Sequence, residues 1–358
     1  MANVLVAPLS WGLGHATRDI PIIRELIRRK HNVTIAASGR ALALLKREFP
    51  KCNFIDFPDY PSPYTKSRFF VHDVIKTMPS IIKAMFRESK KMSEIAKENK
   101  FDLIVSDNRF TVFNQNIPSY FISHQLIFSM PMLMKPLERG SGFFNYSFYK
   151  YFNGVIIPDF SGKKNLSGKL SHLKKKRSNF YYAGILSSIS KKKVREDIDY
   201  LFLISGPDPP RGELEKIILS QIHKIRGRKV VLLGKPEESS KRILKDGTIV
   251  LSHASRKECE SLMNRAKFII TRSGYTTVME VAELGKKALF IPTPGQTEQE
   301  YLSKYYEKNR FFHSVRQNKL NLERDIEIAK KFKGFPKTRS TKENARLLYN
   351  HFFKQHID

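Results

Sequence analysis

Cysteine is nearly missing from this chain. Only Cys52 and Cys259 occur in 358 residues, far apart and without metal-ligand spacing. That excludes a disulfide framework and a zinc site and suits a reducing cytoplasm. Long apolar runs are missing too. The longest, FISHQLIFSMPMLM (residues 121–134), is interrupted by His124, Gln125 and Pro131, so it is not a membrane span. The first residues, MANVLVAPLSWG, lack a basic n-region and a long apolar core, and no signal peptide is expected there. Acidic residues are scarce: 34 Asp+Glu stand against 64 Lys+Arg, a net charge of +30. Residues 1–176 hold 28 basic and 13 acidic residues and the rest hold 36 and 21, so the excess is not confined to a tail. Such a charge favours anionic partners (a membrane surface, nucleic acid or an acidic glycan), against the plainer reading of solvated lysine-rich faces.

What is present is globular. Hydrophobic residues make up 41% of the chain, and 358 residues suit two domains better than one core. Apolar runs of strand length alternate with helical patterns and no internal repeat is visible, which predicts two parallel α/β domains. The boundaries expected are 1–176 for the first domain, 177–338 for the second, and 339–358 for a closing helix.

The most informative stretch is residues 266–302, AKFIITRSGYTTVMEVAELGKKALFIPTPGQTEQEYL. KFIIT reads as a buried strand and Arg272-Ser273-Gly274 as a turn. A helix capped by Thr276 or Thr277 follows, ended by Gly285, and KALFIP is the next strand. A small-residue turn between strand and helix puts backbone N–H groups and a helix N-terminus at a sheet's carboxyl edge, a ready site for a diphosphate. Glu280, about one turn into the helix, is placed to accept hydroxyl donors from a ribose, or else only complements the helix dipole. A second loop, Gln296 to Glu300, brings amides and carboxylates to the adjacent strand end.

These residues resemble the donor-binding segment of glycosyltransferase family 28, over about 35 continuous positions. The resemblance implies a glycosyltransferase-B fold, two Rossmann-like doubly wound domains facing a cleft. It implies a nucleotide-sugar donor, most simply UDP-linked such as UDP-GlcNAc, that is a substrate and not a cofactor. Ser273, Gly274, Tyr275, Thr276 and Thr277 would hold the diphosphate, Glu280 the ribose, and Gln296, Glu298, Gln299 and Glu300 the sugar. The family has Gln-Gln where this chain has Gln299-Glu300, which leaves the sugar open. The turn from Gly206 to Arg211 would face the diphosphate, with prolines in place of the family's glycines and Arg211 supplying charge. The loop at His253 falls where the family's base-binding backbone lies.

The chain opens with its own strand, glycine turn and helix, with Ile20, Ile23, Leu26 and Ile27 on one helical face. The turn holds Gly12, Leu13, Gly14 and His15. Thr17 stands where a third glycine would complete a dinucleotide fingerprint and no acid ends the second strand, so nicotinamide and flavin are rejected. By the family resemblance this turn faces the acceptor, and His15 is the candidate general base. Asp107 and His124, each at a strand's carboxyl end, are secondary candidates on the acceptor side. No clustered Asp pair suggests a divalent metal, so a metal-independent transfer is expected.

Residues 59–70 read as a loop and residues 126–152 as an aromatic-basic segment suited to a membrane interface or a stacked ligand, or else as a buried helical hairpin. Residues 162–179 read as a basic linker. A lipid-phosphate or other anionic acceptor at the inner face of the membrane follows from that segment and the family. The rival readings are an epimerase or hydrolase of the same fold, or a nucleic-acid-binding or RNA-modifying protein, which no RNA-binding motif supports.

Overall fold

Seven apolar runs in the first half of the chain form strands: β1 (Asn3–Pro8), β2 (Asn32–Ala37), β3 (Asn53–Asp56), β4 (Leu103–Asp107), β5 (Ser119–Ile122), β6 (Gly154–Ile157) and β7 (Phe180–Tyr182). They pair in parallel in the order β3-β2-β1-β4-β5-β6-β7. Parallel neighbours need crossovers, and helices α1 (Leu13–Arg28), α2 (Gly39–Glu48), α3 (Phe70–Glu98) and α4 (Glu138–Tyr149) supply most of them. The computed structural model describes residues 1–61, 70–129, 135, 138–173 and 178–358. Most of the loop expected at 59–70, residues 130–134 and 136–137 of the aromatic segment, and 174–177 of the linker lie outside the described residues. Among those described, no helix is long and apolar enough to cross a membrane.

Strand β1 is covered on both faces, as parallel sheets require. Val4 and Val6 pack with Ile20, Ile23 and Leu26 of α1, while Leu5 sits with Met92 and Ile95 of α3 on the other face. Ile27, expected on the buried stripe, is 41% exposed, and Ile22 is buried instead. The next seven strands are β8 (Ile198–Leu203), β9 (Lys229–Leu232), β10 (Lys241–Ile243), β11 (Ile249–Leu251), β12 (Ala266–Thr271), β13 (Lys287–Phe290) and β14 (His313–Ser314). Their order is β10-β11-β9-β8-β12-β13-β14, with only the charged edge strand β10 antiparallel. Helices α5 (Pro210–Gln221), α6 (Arg256–Arg265), α7 (Tyr275–Leu284), α8 (Thr297–Lys308) and α9 (Leu322–Lys330) accompany this sheet.

The chain divides into two units, Met1–Ser188 with Arg339–Asp358, and Ile189–Thr338. The boundary expected at 176 therefore moves to Ser188. Residues 180–182, read as the start of the second domain, form the edge strand β7 of the first sheet, with Phe180 opposite Val155. Their half-buried pattern carries no mark of which sheet they join. The last helix, α10 (Thr341–Leu348), continues through a π-helical turn Tyr349–Phe353 into Lys354–Ile357. Leu348, Tyr349, Phe352 and Phe353 fill the core of the first unit.

Gly154 on β6 shows how closely this helix packs: a Cβ there would lie 2.6 Å from the Phe352 ring. Phe352 is held in turn by Tyr120, at 4.6 Å between ring centroids. Gly154→Ala should therefore destabilise the protein by about 1–3 kcal/mol through overpacking. Urea denaturation with an unchanged m-value is the check.

Candidate active site

Each sheet has one topological switch point, where successive strands turn from one side to the other; ligands bind outside the carboxyl ends of such strands. In the first unit the switch lies between β1 and β4, whose ends are level, Pro8 opposite Asp107. The turn after β1 is pinned by the next loop. Ser10 N donates to Asp59 Oδ2 at 2.7 Å and Trp11 Nε1 to the Tyr60 carbonyl at 2.8 Å. Buried Arg109 ties Pro8 and Pro58 carbonyls together, each at 3.0 Å. Gly12 caps α1 in extended conformation, so Leu13, Gly14 and His15 lie in the first helical turn instead of the preceding loop.

Three of the acceptor-side candidates meet here around a residue that sequence reasoning missed. Arg18, 1% exposed, donates from Nε to Asp107 Oδ2 at 2.5 Å and from Nη1 to His124 Nδ1 at 2.6 Å. Its Nη2 also meets Asp107 Oδ1. His15 Nδ1 lies 2.9 Å from Asp107 Oδ1 and 2.8 Å from Arg18 Nη2. With its proton on Nδ1, His15 donates to Asp107 and leaves the Nε2 lone pair free. The close approach of Arg18 is then not a hydrogen bond, since two donors share one carboxylate oxygen.

Burial lowers the His15 pKa from its ordinary value, and it outweighs the opposing pull of Asp107. Burial alone would raise the Asp107 carboxyl, but Arg18 and His15 hold it well below the usual carboxylate range. A neutral, oriented imidazole beside a fixed carboxylate is able to take a proton near pH 7. Asp19, the next residue on α1, is also buried. The signal for Arg18 and Asp19 was their spacing, i+3 and i+4 from His15 on one helical face.

In the second unit the switch lies between β8 and β12, with Leu203 opposite Thr271. Gly274, not Thr276 or Thr277, is the N-cap of α7, and no side chain caps it. Ser273 is fully buried, its Oγ donating to the Gln299 carbonyl at 3.1 Å and accepting from Ser303 Oγ at 3.0 Å. Tyr275 is buried, whereas Thr276 and Thr277 are half-buried. Glu280, 8% exposed, pairs with Arg256 Nη1 at 3.3 Å. Arg256 opens α6, and its Nε and Nη2 are buried without a hydrogen-bond partner among the described residues.

The Gln296 to Glu300 segment differs from expectation. Gln296 is an N-cap, and Thr297 through Glu300, including Glu298, form the first turn of α8. Two side chains fold back on the turn before it: Gln299 Oε1 accepts from Thr293 N at 3.0 Å and Glu300 Oε1 from Gly295 N at 3.3 Å. Gln299 Nε2 donates to Gln296 Oε1. Thr293 Oγ1 is buried and has no hydrogen-bond partner among the described residues, and it lies 3.5 Å from where a Cβ on Gly206 would stand. Gly206 itself has φ +106°, a conformation that favours glycine. Arg211 lies in the first turn of α5, where its guanidinium holds the Gly234 carbonyl at 2.7 Å and the Asp208 carboxylate. Its charge is therefore met within the turn. His253 is exposed, with Nδ1 2.6 Å from the Glu238 carbonyl.

What holds these strand ends together is Arg272, 2% exposed. It donates to the carbonyls of Ser205 (3.4 Å), Pro210 (2.8 Å), Ile291 (3.2 Å) and Pro292 (3.2 Å) and to Gln317 Oε1 (2.7 Å). Burial pushes its pKa down to about 10, which leaves it charged at neutral pH.

Two doubly wound parallel sheets, each with a polar switch point, make the glycosyltransferase-B fold, and comparison with known proteins identifies a glycosyltransferase. Residues 219–357 match the model of the glycosyltransferase family 28 C-terminal domain, and residues 2–121 that of glycosyl transferase family 1. The chain is thus a glycosyltransferase whose residues 219–357 carry the family 28 C-terminal domain. Among solved structures, the glycotransferase of kitacinnamycin superposes with a TM-score of 0.65 at 12% identity, covering 98% of this chain and 99% of that one. MurG of Acinetobacter baumannii gives 0.61 at 12% identity over 98% and 100%. SsfS6 of Streptomyces sp. SF2575, complexed with thymidine diphosphate, gives 0.59 at 12% over 99% and 96%. No curated protein matches in sequence.

Proposed function

We propose that the chain transfers a sugar from a UDP-linked donor such as UDP-GlcNAc to a lipid-linked or other anionic acceptor, without a metal ion. The observation that carries this reading is the N-terminus of α7, set at a switch point by Ser273 and Gly274 and followed by Glu280. Its positive end suits the diphosphate, and Glu280, steadied by Arg256, suits the ribose hydroxyls. Residues Thr276 and Thr277 add hydroxyls beside the phosphates. In the first unit, His15 Nε2 takes the proton of the acceptor hydroxyl as that oxygen bonds the sugar's anomeric carbon. The bond from that carbon to the diphosphate oxygen breaks, and the leaving electrons settle on a diphosphate stabilised by α7.

An anionic membrane acceptor is supported by exposed apolar residues on the first unit. Met78, Ile82 and Phe86 follow one another at helical spacing on α3, and Phe143 is exposed on α4. Exposed Lys83, Arg87 and Lys90 lie among them on α3. Cations beside apolar side chains suit an anionic leaflet, which would put the chain at the inner face of the membrane.

The test is a thermal-shift screen against UDP, GDP, dTDP, CDP and their sugar conjugates, repeated with excess chelator. One nucleotide should stabilise the protein, more strongly as a sugar conjugate. In Glu280→Gln and Glu280→Ala the donor KM should rise roughly 30-fold, equivalent to about 2 kcal/mol of lost hydrogen bonding. Unchanged donor binding in both variants would remove Glu280 from the ribose site.

A further inference from the structure

The cluster around Arg18 contains one more carboxyl, to which the transfer chemistry gives no part. Asp19 follows Arg18 on α1, one turn beyond His15. It is completely buried, and neither of its oxygens has a hydrogen-bond donor among the described residues. The charged groups that act on it are Asp107, at the end of β4, and Arg18 on its own helix. Arg18 acts on it through its charge, while its three guanidinium nitrogens meet Asp107, His15 and His124. Two neighbouring carboxyl groups do not both ionise in a buried site. Asp107 accepts from Arg18 and is paired with His15, and keeps its charge. The proton of the pair therefore belongs to Asp19.

We propose that Asp19 is a positioning residue: a neutral carboxylic acid whose O–H donates to Asp107 and fixes the carboxylate that orients His15. Burial, reinforced by the Asp107 charge, raises the Asp19 pKa well above the usual carboxylate range, in keeping with this role. A donated hydrogen bond also draws charge away from His15, which keeps the imidazole neutral in the resting protein. The role of Asp19 in transfer rests on the reading of His15 as the base, but its protonation does not.

The experiment is carbon-13 NMR of carboxyl-labelled aspartate together with nitrogen-15 NMR of histidine, on the full chain without substrate. At neutral pH, above the ordinary carboxylate range, the Asp19 carboxyl should still sit at the position of a protonated acid. Asp19→Asn keeps a neutral donor and should leave the His15 titration midpoint in place. Asp19→Leu removes the donor and should raise that midpoint by about one unit and lower kcat roughly tenfold through misorientation. An Asp19 resonance at the ionised position, or a fall of the His15 midpoint in Asp19→Asn, would overturn the proposal, since only loss of a negative charge lowers it. Should Asp19→Leu fail to fold, Asp19→Asn and the wild-type resonance still decide. These spectra contain no substrate, so failure of the transferase reading and failure of this one are separate results.

Discussion

His15→Ala should lower kcat by about 10²- to 10⁴-fold and leave the affinity for the donor nucleotide unchanged. The split follows from the fold: His15 belongs to the first unit, while the helix end that suits the diphosphate belongs to the second. The pH profile carries a second part of the expectation. Only neutral His15 accepts a proton, and burial lowers its pKa from the ordinary 6.5. The acidic limb of kcat/KM should therefore lie below pH 6.5, with activity lost as the pH falls through the His15 value in the folded protein. The same shift acts on stability. The unfolded state takes up the His15 proton at higher pH than the native state, so this residue's contribution is lost as the pH drops below 6.5. Steady-state kinetics of the variant beside a nucleotide-binding measurement decide the matter, and an equal loss in both would assign His15 to the scaffold.

The second large effect concerns Arg272. Arg272→Met should destabilise the protein by about 3–5 kcal/mol, because it leaves several buried acceptors without their shared donor. Donor binding should fall with stability, since those acceptors belong to the ends of β8 and β13 and the start of α5, which border Gly206 and Thr293. Arg272→Lys should not rescue it: an ammonium cannot span five acceptors that a planar fork reaches. Chemical denaturation and nucleotide titration on the same preparations test both halves. A variant of native stability that has lost donor binding would show that Arg272 meets the ligand directly.

Why the strand, turn and helix of residues 266–284 were legible in the sequence and the cluster around His15 less so is a matter of distance along the chain. Strand β12, Ser273, Gly274 and α7 follow one another without a break, so local pattern alone laid out that turn. His15 and Asp107 are 92 positions apart, and only the pairing of β1 with β4 brings them together. Arg18 and Asp19 passed unnoticed because charges in an amphipathic helix ordinarily face water. Here their spacing from His15 was the clue. The Gln296 to Glu300 segment misled in the opposite way: its polar composition suggested a loop, yet Gln299 and Glu300 satisfy the preceding turn from within a helix. The 180–182 strand was assigned to the wrong unit because three half-buried residues do not reveal which sheet they will extend.

The residues that complete the first core come after the whole second unit in the chain. Leu348, Tyr349, Phe352 and Phe353 pack on β1, β5 and α1, yet a ribosome adds them only after Ile189–Thr338 has been made. Domains generally mature in the order of their synthesis. Here that order is inverted: the second unit is complete first, while the nascent first unit waits with an uncovered apolar groove. Chains halted before Leu348 should therefore be the ones that engage chaperones or aggregate, even though every residue of both switch points has already been translated.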